Sequence, residues 1–372
     1  MNATGAAISQ ILIISPEPWN GHFVSKHHYA IALADQGHKV YFLNPPDNSL
    51  TSHQISETKY ENVWSVSSPK VAKGLRFYPK ILRNLLERHW LEKLEKQIGE
   101  KFTTVWLFEN SRFYDMDFAG DRLKVYHQVD SNQNFHLKEA ASAADICFCT
   151  TDFIKRELEP FNDKVYKVHH GVTLQSEQVE LFDEQKKNFL ESTINVVLVG
   201  NLDISFLDAE LLIMMIKKHP QVTFQFVGGY DISGKLYEAC KKLANVVWWG
   251  KVESRVIPSI LGYCDVQLVI YKAENEFDIE QLASPHKMME YLSSGNVTVS
   301  TYTDEYKDKR HLLEMVNDSN EYVERFGEVV GNLEFYNSDE KKEARVAFAK
   351  DHSYEKQLEK IVSYLKQYNL SI

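Results

Sequence analysis

Strand-length apolar segments alternate with helical patterns along this chain, and they do so twice, on either side of one polar stretch. In the first series, 10–15, 39–43, 63–66, 104–108, 124–127, 145–149 and 165–168 read as strands, with helical patterns at 24–36, 79–98, 137–143 and 152–158. Near-continuous Ile, Leu, Val and Phe in these segments marks strands buried on both faces. Residues 173–192, rich in Glu, Gln and Lys, break the pattern. A second series follows, with strands at 195–199, 223–227, 245–248, 265–270 and 297–300 and helices at 208–218, 234–243, 254–261 and 284–294. Strands alternating with helices imply βαβ units, hence α/β domains with parallel sheets covered on both faces. Two such domains fit in 372 residues, at 1–175 and 193–352, with the boundary between 170 and 194. A last amphipathic helix, within 353–372, carries Leu358, Ile361, Val362 and Leu365 on one face.

Composition excludes several classes. A hydrophobic content of 44% with 25% charged residues is that of a folded globular chain. A net charge of −10 leaves no overall basic field for nucleic acid. No apolar run approaches the roughly 20 residues that cross a bilayer. The first ten residues lack a charged leader region, and the run 11–14 is too short for a signal peptide, so a cytoplasmic location is expected. Cys147, Cys149, Cys240 and Cys264 are scattered and read as reduced, buried thiols. Cys147 and Cys149 without a second pair make a poor zinc pattern, and neither metal nor cofactor is expected. A G-x-G-x-x-G run is absent, which counts against a nicotinamide enzyme.

The most specific segment is 284–300. Ser284 suits an N-cap, Pro285 the first helical position and Gly295 the left-handed residue that closes a helix. Such a helix offers free N–H groups and a positive dipole end to a phosphate. Lys287 stands in its first turn, and Glu290 follows at i+3 from Lys287 and i+4 from His286, on a shared face. This suits a nucleoside diphosphate, with the carboxylate left for ribose hydroxyls; the plain alternative is an amphipathic helix with a surface lysine.

The segment resembles the donor-binding signature of GT-B glycosyltransferases of the family-4-like group, in the form K-x-x-E-Y-L-x-x-G-x-x-V. The resemblance implies two Rossmann-like parallel-sheet domains, an interdomain cleft between them and a C-terminal helix crossing back onto the first domain. The opening loop, with Trp19, Asn20, Gly21 and His22 before the L-A-D-Q-G-H-K-V run at 33–40, resembles the family's opening and is expected to face the cleft on the acceptor side. His127 and Asp130, at the end of the strand 124–127, are the candidates for the sugar site and for acceptor deprotonation; a core histidine and a turn-forming aspartate are the alternative. His169-His170-Gly171-Val172 resembles the segment that enters the family's linker. Gly200 and Asn201 end the first strand of the second series.

Two departures matter. Relatives place an Arg and then a Lys after this glycine to neutralise the donor diphosphate, whereas here Asn201, Asp203 and Asp208 follow, so Lys287, Lys251 or Lys272 must supply the charge. The family's upstream glutamate is also missing: the expected spacing from Glu290 reaches Leu282, with Glu280 two positions away.

The resemblance implies a hexosyltransferase that moves a sugar from a nucleotide-sugar donor, a substrate rather than a cofactor, to a saccharide or lipid-linked acceptor in bacterial polysaccharide or surface-glycan assembly. A nucleotide-sugar epimerase and a non-catalytic nucleotide-sugar-binding subunit stay open beside it, as do retention and inversion. Residues 70–96 hold eight basic residues against three acidic, interleaved with Ile81, Leu82, Leu85, Leu86 and Trp90. Such a helix either lies on anionic membrane or packs its leucine stripe on the sheet.

Overall fold

The computed structural model describes residues 8–131, 135–174, 179–189, 193–272, 285 and 287–372. Its contacts divide the chain into two units, Met1–His170 with Tyr354–Ile372, and Gly171–Ser353. No helix among the described residues is long and apolar enough to cross a membrane.

The first unit is built on an eight-stranded sheet, β1 (Gln10–Ile14), β2 (Lys39–Leu43), β3 (Gln54–Glu57), β4 (Val63–Ser67), β5 (Thr104–Leu107), β6 (Leu123–Gln128), β7 (Ile146–Cys149) and β8 (Val165–Lys167), in the order β3-β4-β2-β1-β5-β6-β7-β8. Every neighbouring pair is parallel except β3 with β4. The sequence pattern did not announce β3: it is polar and exposed apart from Ile55, as an edge strand can be, because it has no second face to bury. β1 shows why its neighbours are apolar throughout. Ile11 and Ile13 enter one core, Leu12 and Ile14 the other, and all four are fully buried. Helices α1 (Ser25–Asp35), α2 (Lys80–Ile98), α3 (Leu137–Ala143) and α4 (Asp152–Leu158) flank the sheet. The helix Tyr354–Gln367 packs beside α1 and adds Tyr354, Leu358, Ile361 and Leu365 to the core that holds Ile11 and Ile13.

The second unit carries a six-stranded, wholly parallel sheet, β9 (Ile194–Val199), β10 (Val222–Val227), β11 (Val246–Gly250), β12 (Val266–Val269), β13 (Val297–Thr301) and β14 (Glu314–Val316), in the order β11-β10-β9-β12-β13-β14. This is the doubly wound order of a Rossmann sheet, which reverses direction between β9 and β12. Among the described residues its helices are α5 (Asp183–Lys186), α6 (Ala209–Lys218), α7 (Lys235–Cys240), α8 (Ile257–Gly262), α9 (Lys287–Ser294), α10 (Ser319–Gly331), α11 (Leu333–Tyr336) and α12 (Asp339–Lys350). β14 and α10–α12 were not anticipated. Gly295, with φ +80°, closes α9 in the left-handed conformation expected of it, and buried Arg345 of α12 donates to its carbonyl at 3.0 Å. Cys147, Cys149, Cys240 and Cys264 are unbridged and buried.

Candidate functional site

In an open α/β sheet, ligands bind beyond the carboxyl ends of the strands, where the strand order reverses. In the second unit that point lies between β9 and β12. Those strands pair only over Val266↔Val196 and Gln267↔Val197, so the end of β9 is left without its neighbour. Helix α9 fills the gap with two residues one turn apart. Val199 donates its N–H to Tyr291 Oη at 2.8 Å, and its carbonyl accepts from Lys287 Nζ at 2.9 Å. A lysine and a tyrosine thus complete the backbone pairing of the strand and hold the ammonium at its mouth.

Two glycines make the mouth narrow. Gly200 follows Val199 with φ +134°, and a Cβ there would lie 3.8 Å from Lys287 Nζ. Gly228 follows β10 with φ +140°, and a Cβ there would sit 1.8 Å from the Gly200 carbonyl oxygen, so only glycine fits. Backbone bonds link these ends further, Gly200 N–H to Val227 C=O at 2.9 Å and Gly228 N–H to Gly250 C=O at 2.8 Å. Lys251, exposed just beyond β11, lies across Gly229, where a Cβ would meet its Cε at 2.9 Å.

The donor-side residues proposed from the sequence fall as follows. Gly200 and Lys287 are brought together. Glu290 is half-buried one turn on in α9; burial pushes its carboxyl up to about 7, with the charge of Lys287 pulling the other way. Pro285 is half-buried, and its carbonyl accepts from Met288 N–H at 3.0 Å. Asn201 is exposed and its Oδ1 accepts from Asp203 N–H at 3.0 Å. Ser284 and His286, together with Glu280 and Leu282, lie outside the described residues. The acidic residues that follow Gly200 serve local structure. Asp203 accepts from the N–H of Asp231, and Asp208 caps α6 through Leu211 N–H at 3.0 Å. Among the described residues, no group of three or more His, Cys, Asp or Glu is placed to hold a metal.

The first-unit residues divide differently. Asn20, Gly21 and His22 are exposed in the loop after β1. Trp19, expected beside them, is instead 5% exposed, its ring packed edge-on against Phe23, Phe42 and Tyr60. The reason is apolar area: an indole buries more than its loop neighbours, so it turns inward and anchors the loop. His127 is fully buried among the rings of Tyr29, Trp106, Phe108 and Phe148, and neither ring nitrogen has a hydrogen-bond partner. Burial, and then the charge of Lys26, hold its pKa down to about 3, so the imidazole is neutral. Lys26 is itself buried on α1 and pairs with Glu17 at 2.6 Å. Asp130 is half-buried, and its carbonyl accepts from Gln128 Nε2 at 3.3 Å.

Sequence reasoning missed Tyr271 and Tyr291 beside Lys287. It also missed Glu109 and Arg112, which pair at 2.7 Å just beyond β5, Arg112 also donating to the Ser15 carbonyl just after β1 at 2.8 Å. Polar residues directly after a buried strand were the available signal.

No protein-family model matches the chain. Over 195 residues it is 24% identical to the putative teichuronic acid biosynthesis glycosyltransferase TuaH of Bacillus subtilis, covering 46% of this chain and 47% of that one. The match therefore spans about half the length of that curated relative. Among solved structures, a glycosyltransferase from Rickettsia africae superposes with a TM-score of 0.72 at 13% identity, over 98% of this chain and all of that one. An E. coli trehalose-6-phosphate structure bound with UDP-2-fluoro glucose gives 0.68 at 11% identity, over 96% and 99%. Likeness at these identities is likeness of fold, and the fold is GT-B.

Proposed function

We propose, from the GT-B fold and the crevice at the end of β9, that this chain is a glycosyltransferase that moves a sugar from a nucleotide-sugar donor to a saccharide or lipid-linked acceptor in polysaccharide or surface-glycan synthesis. The observation that carries the reading is Lys287, fixed at the mouth of the strand-order reversal with its ammonium close beside Gly200. The likeness to a teichuronic acid glycosyltransferase and to a fold that holds a UDP-sugar in another protein supports it.

The chemistry follows from charge. Cleaving the bond between sugar and diphosphate leaves negative charge on the departing oxygen, and a fixed cation there favours the transition state over the ground state. Lys287 supplies it, with exposed Lys251 as an auxiliary, in place of the absent Arg/Lys pair. The Glu290 carboxylate takes ribose hydroxyls. No resident metal or cofactor enters this reading. His127, neutral and enclosed, shapes the first unit's interior, which leaves Asp130 as the more accessible of the two proposed bases. An assay of nucleotide sugars with saccharide acceptors should release nucleoside diphosphate only when acceptor is present. Lys287→Ala should cut turnover about tenfold to a thousandfold, with EDTA leaving it intact. Epimerised donor without acceptor would make it an epimerase, and binding without turnover a non-catalytic subunit.

The acceptor partner is proposed from α2. Its second half buries Trp90, Leu91 and Leu94, but the first half leaves Ile81 78%, Leu82 45% and Leu85 58% exposed, with Phe77 77% exposed just before it. Exposed Lys73, Arg76 and Lys80 accompany them. A basic, apolar, solvent-facing stripe fits the headgroup region of an anionic bilayer, with the chain held peripherally at its cytoplasmic face. Vesicles containing phosphatidylglycerol should pull the protein down and neutral vesicles should not. Equal binding to both, or an Ile81→Asp/Leu85→Asp variant that still binds, would refute the contact.

A further inference from the structure

Lys287 is held by more than a carbonyl. Its Nζ also lies 5.0 Å from the centre of the Tyr271 ring, within the range where an aromatic face attracts a cation. Tyr271 stands just beyond β12, on the far side of the strand-order reversal from Val199.

Several contacts fix the backbone that carries that ring, and one touches the ring itself. Tyr271 N–H donates to Thr301 Oγ1 at 3.0 Å. The loop after β9 folds across to meet it: Leu207 bridges Tyr271 in antiparallel fashion, Lys272 N–H donates to Phe206 C=O at 2.8 Å, and Asp208 N–H to Ile270 C=O at 3.3 Å. Buried Leu207 anchors this loop in the core, and Phe206 then meets the Tyr271 ring edge-on at 5.0 Å. Tyr271 is thus clamped from β13, from the loop after β9 and from its own strand. A lysine has several rotatable bonds, and holding its ammonium in one place costs side-chain entropy that a pre-set partner reduces.

We infer that Tyr271 is a positioning residue for Lys287, its ring face and the Val199 carbonyl together holding the ammonium where the donor diphosphate binds. The inference rests on the donor reading above for what the lysine is held toward, and on geometry alone for what holds it. It also accounts for the loop that departs from the family pattern. With no cation of its own between Gly200 and Asp208, that loop contributes by bracing the ring that aims one.

The test compares Tyr271→Phe, which keeps an aromatic face, with Tyr271→Leu and Tyr271→Met, which remove it at similar bulk. In protein carrying 13C-labelled lysine, the Lys287 ε-protons, assigned with Lys287→Arg, should resonate upfield from the ring current. That shift should persist in the Phe variant and vanish in the other two. Calorimetric titration with UDP, GDP and ADP should show the diphosphate that wild type binds held within about twofold by the Phe variant. The Leu and Met variants should bind it about threefold to thirtyfold more weakly, the range of one cation–ring contact. An unshifted wild-type resonance, or Phe and Leu variants that weaken binding alike, overturns the proposal. Wild type that binds none of the three diphosphates while showing the ring shift would instead remove the donor reading and leave the Tyr271–Lys287 contact standing.

Discussion

A carboxyl and an ammonium one turn apart on α9 have different jobs in the proposed site, and pH separates them. Glu290 titrates near 7 because burial disfavours its charge more than Lys287 restores it. For stability, a carboxyl raised above its ordinary value contributes fully below the unfolded pKa and loses that contribution as pH rises through the folded one. Ligand binding runs the opposite way, since only the carboxylate offers both oxygens to ribose hydroxyls. Comparing wild type with Glu290→Gln cancels the titration of the nucleotide's own phosphate. The wild-type advantage in diphosphate affinity should therefore be small near pH 6 and grow to about tenfold near pH 8, the scale of a hydrogen bond to a charged group. A constant ratio across that range, measured by calorimetry, would take Glu290 out of the site. At this scale the sequence was informative where chemistry and position coincide, as with Lys287 beside Gly200. It was silent on Tyr271, because a tyrosine after a strand reads as one more apolar residue until the loop that clamps it is folded. Trp19 shows the converse: a strand-end position pointed to a ligand, and the area of its ring took it into the core.

Among the elements, α2 uses its sequence least predictably. Ile81, Leu82, Leu85 and Leu86 look like the buried stripe, yet the core takes Trp90, Leu91 and Leu94, together with three charged residues, Arg83, Glu87 and Glu95. Helical periodicity identifies a face but not how much of its length another element covers. Arg83 pairs with Asp115, and Glu87 lies fully enclosed beside them with one carboxyl oxygen lacking a partner. Burial first, and then the charge of Asp115, push the Glu87 carboxyl up to about 8, so at neutral pH it is an acid rather than a carboxylate. Its contribution to stability is complete below about 4.5 and is lost as pH rises through about 8. Glu87→Gln, which copies the protonated form, should flatten the fall in stability between about pH 4.5 and 8 and above that range exceed wild type by up to a few kcal/mol, read as a higher melting temperature. Parallel melting curves for the two proteins up to about pH 10 would show that the carboxyl is not enclosed as described.

Across the whole chain, the two strand–helix series were legible because buried parallel strands must be apolar throughout, whereas β3 and the three-residue β14 were not, being too polar or too short to stand out. The face Leu358, Ile361, Leu365 is amphipathic wherever it packs; the family resemblance, rather than that pattern, led to the expectation that the last helix returns to the first domain, and the contacts group 354–372 with the first unit. That assignment has a measurable consequence. Among the described residues, the second unit's cores draw on residues between Val172 and Ala349, so a fragment 171–353 contains that packing. A fragment 1–170 lacks Tyr354, Leu358, Ile361 and Leu365, each almost wholly buried in the core it shares with β1. Burying four such side chains is worth about 6–12 kcal/mol, comparable with the entire stability of a domain, about 5–15 kcal/mol. The 171–353 fragment should therefore unfold cooperatively on its own. Residues 1–170 should show no cooperative melt until 354–372 is restored, by fusion through a flexible linker or as an added peptide. A cooperative transition for 1–170 alone at the temperature of the restored fragment would show that the last helix is dispensable to that core, and an unfolded 171–353 would show that the second unit is not self-sufficient.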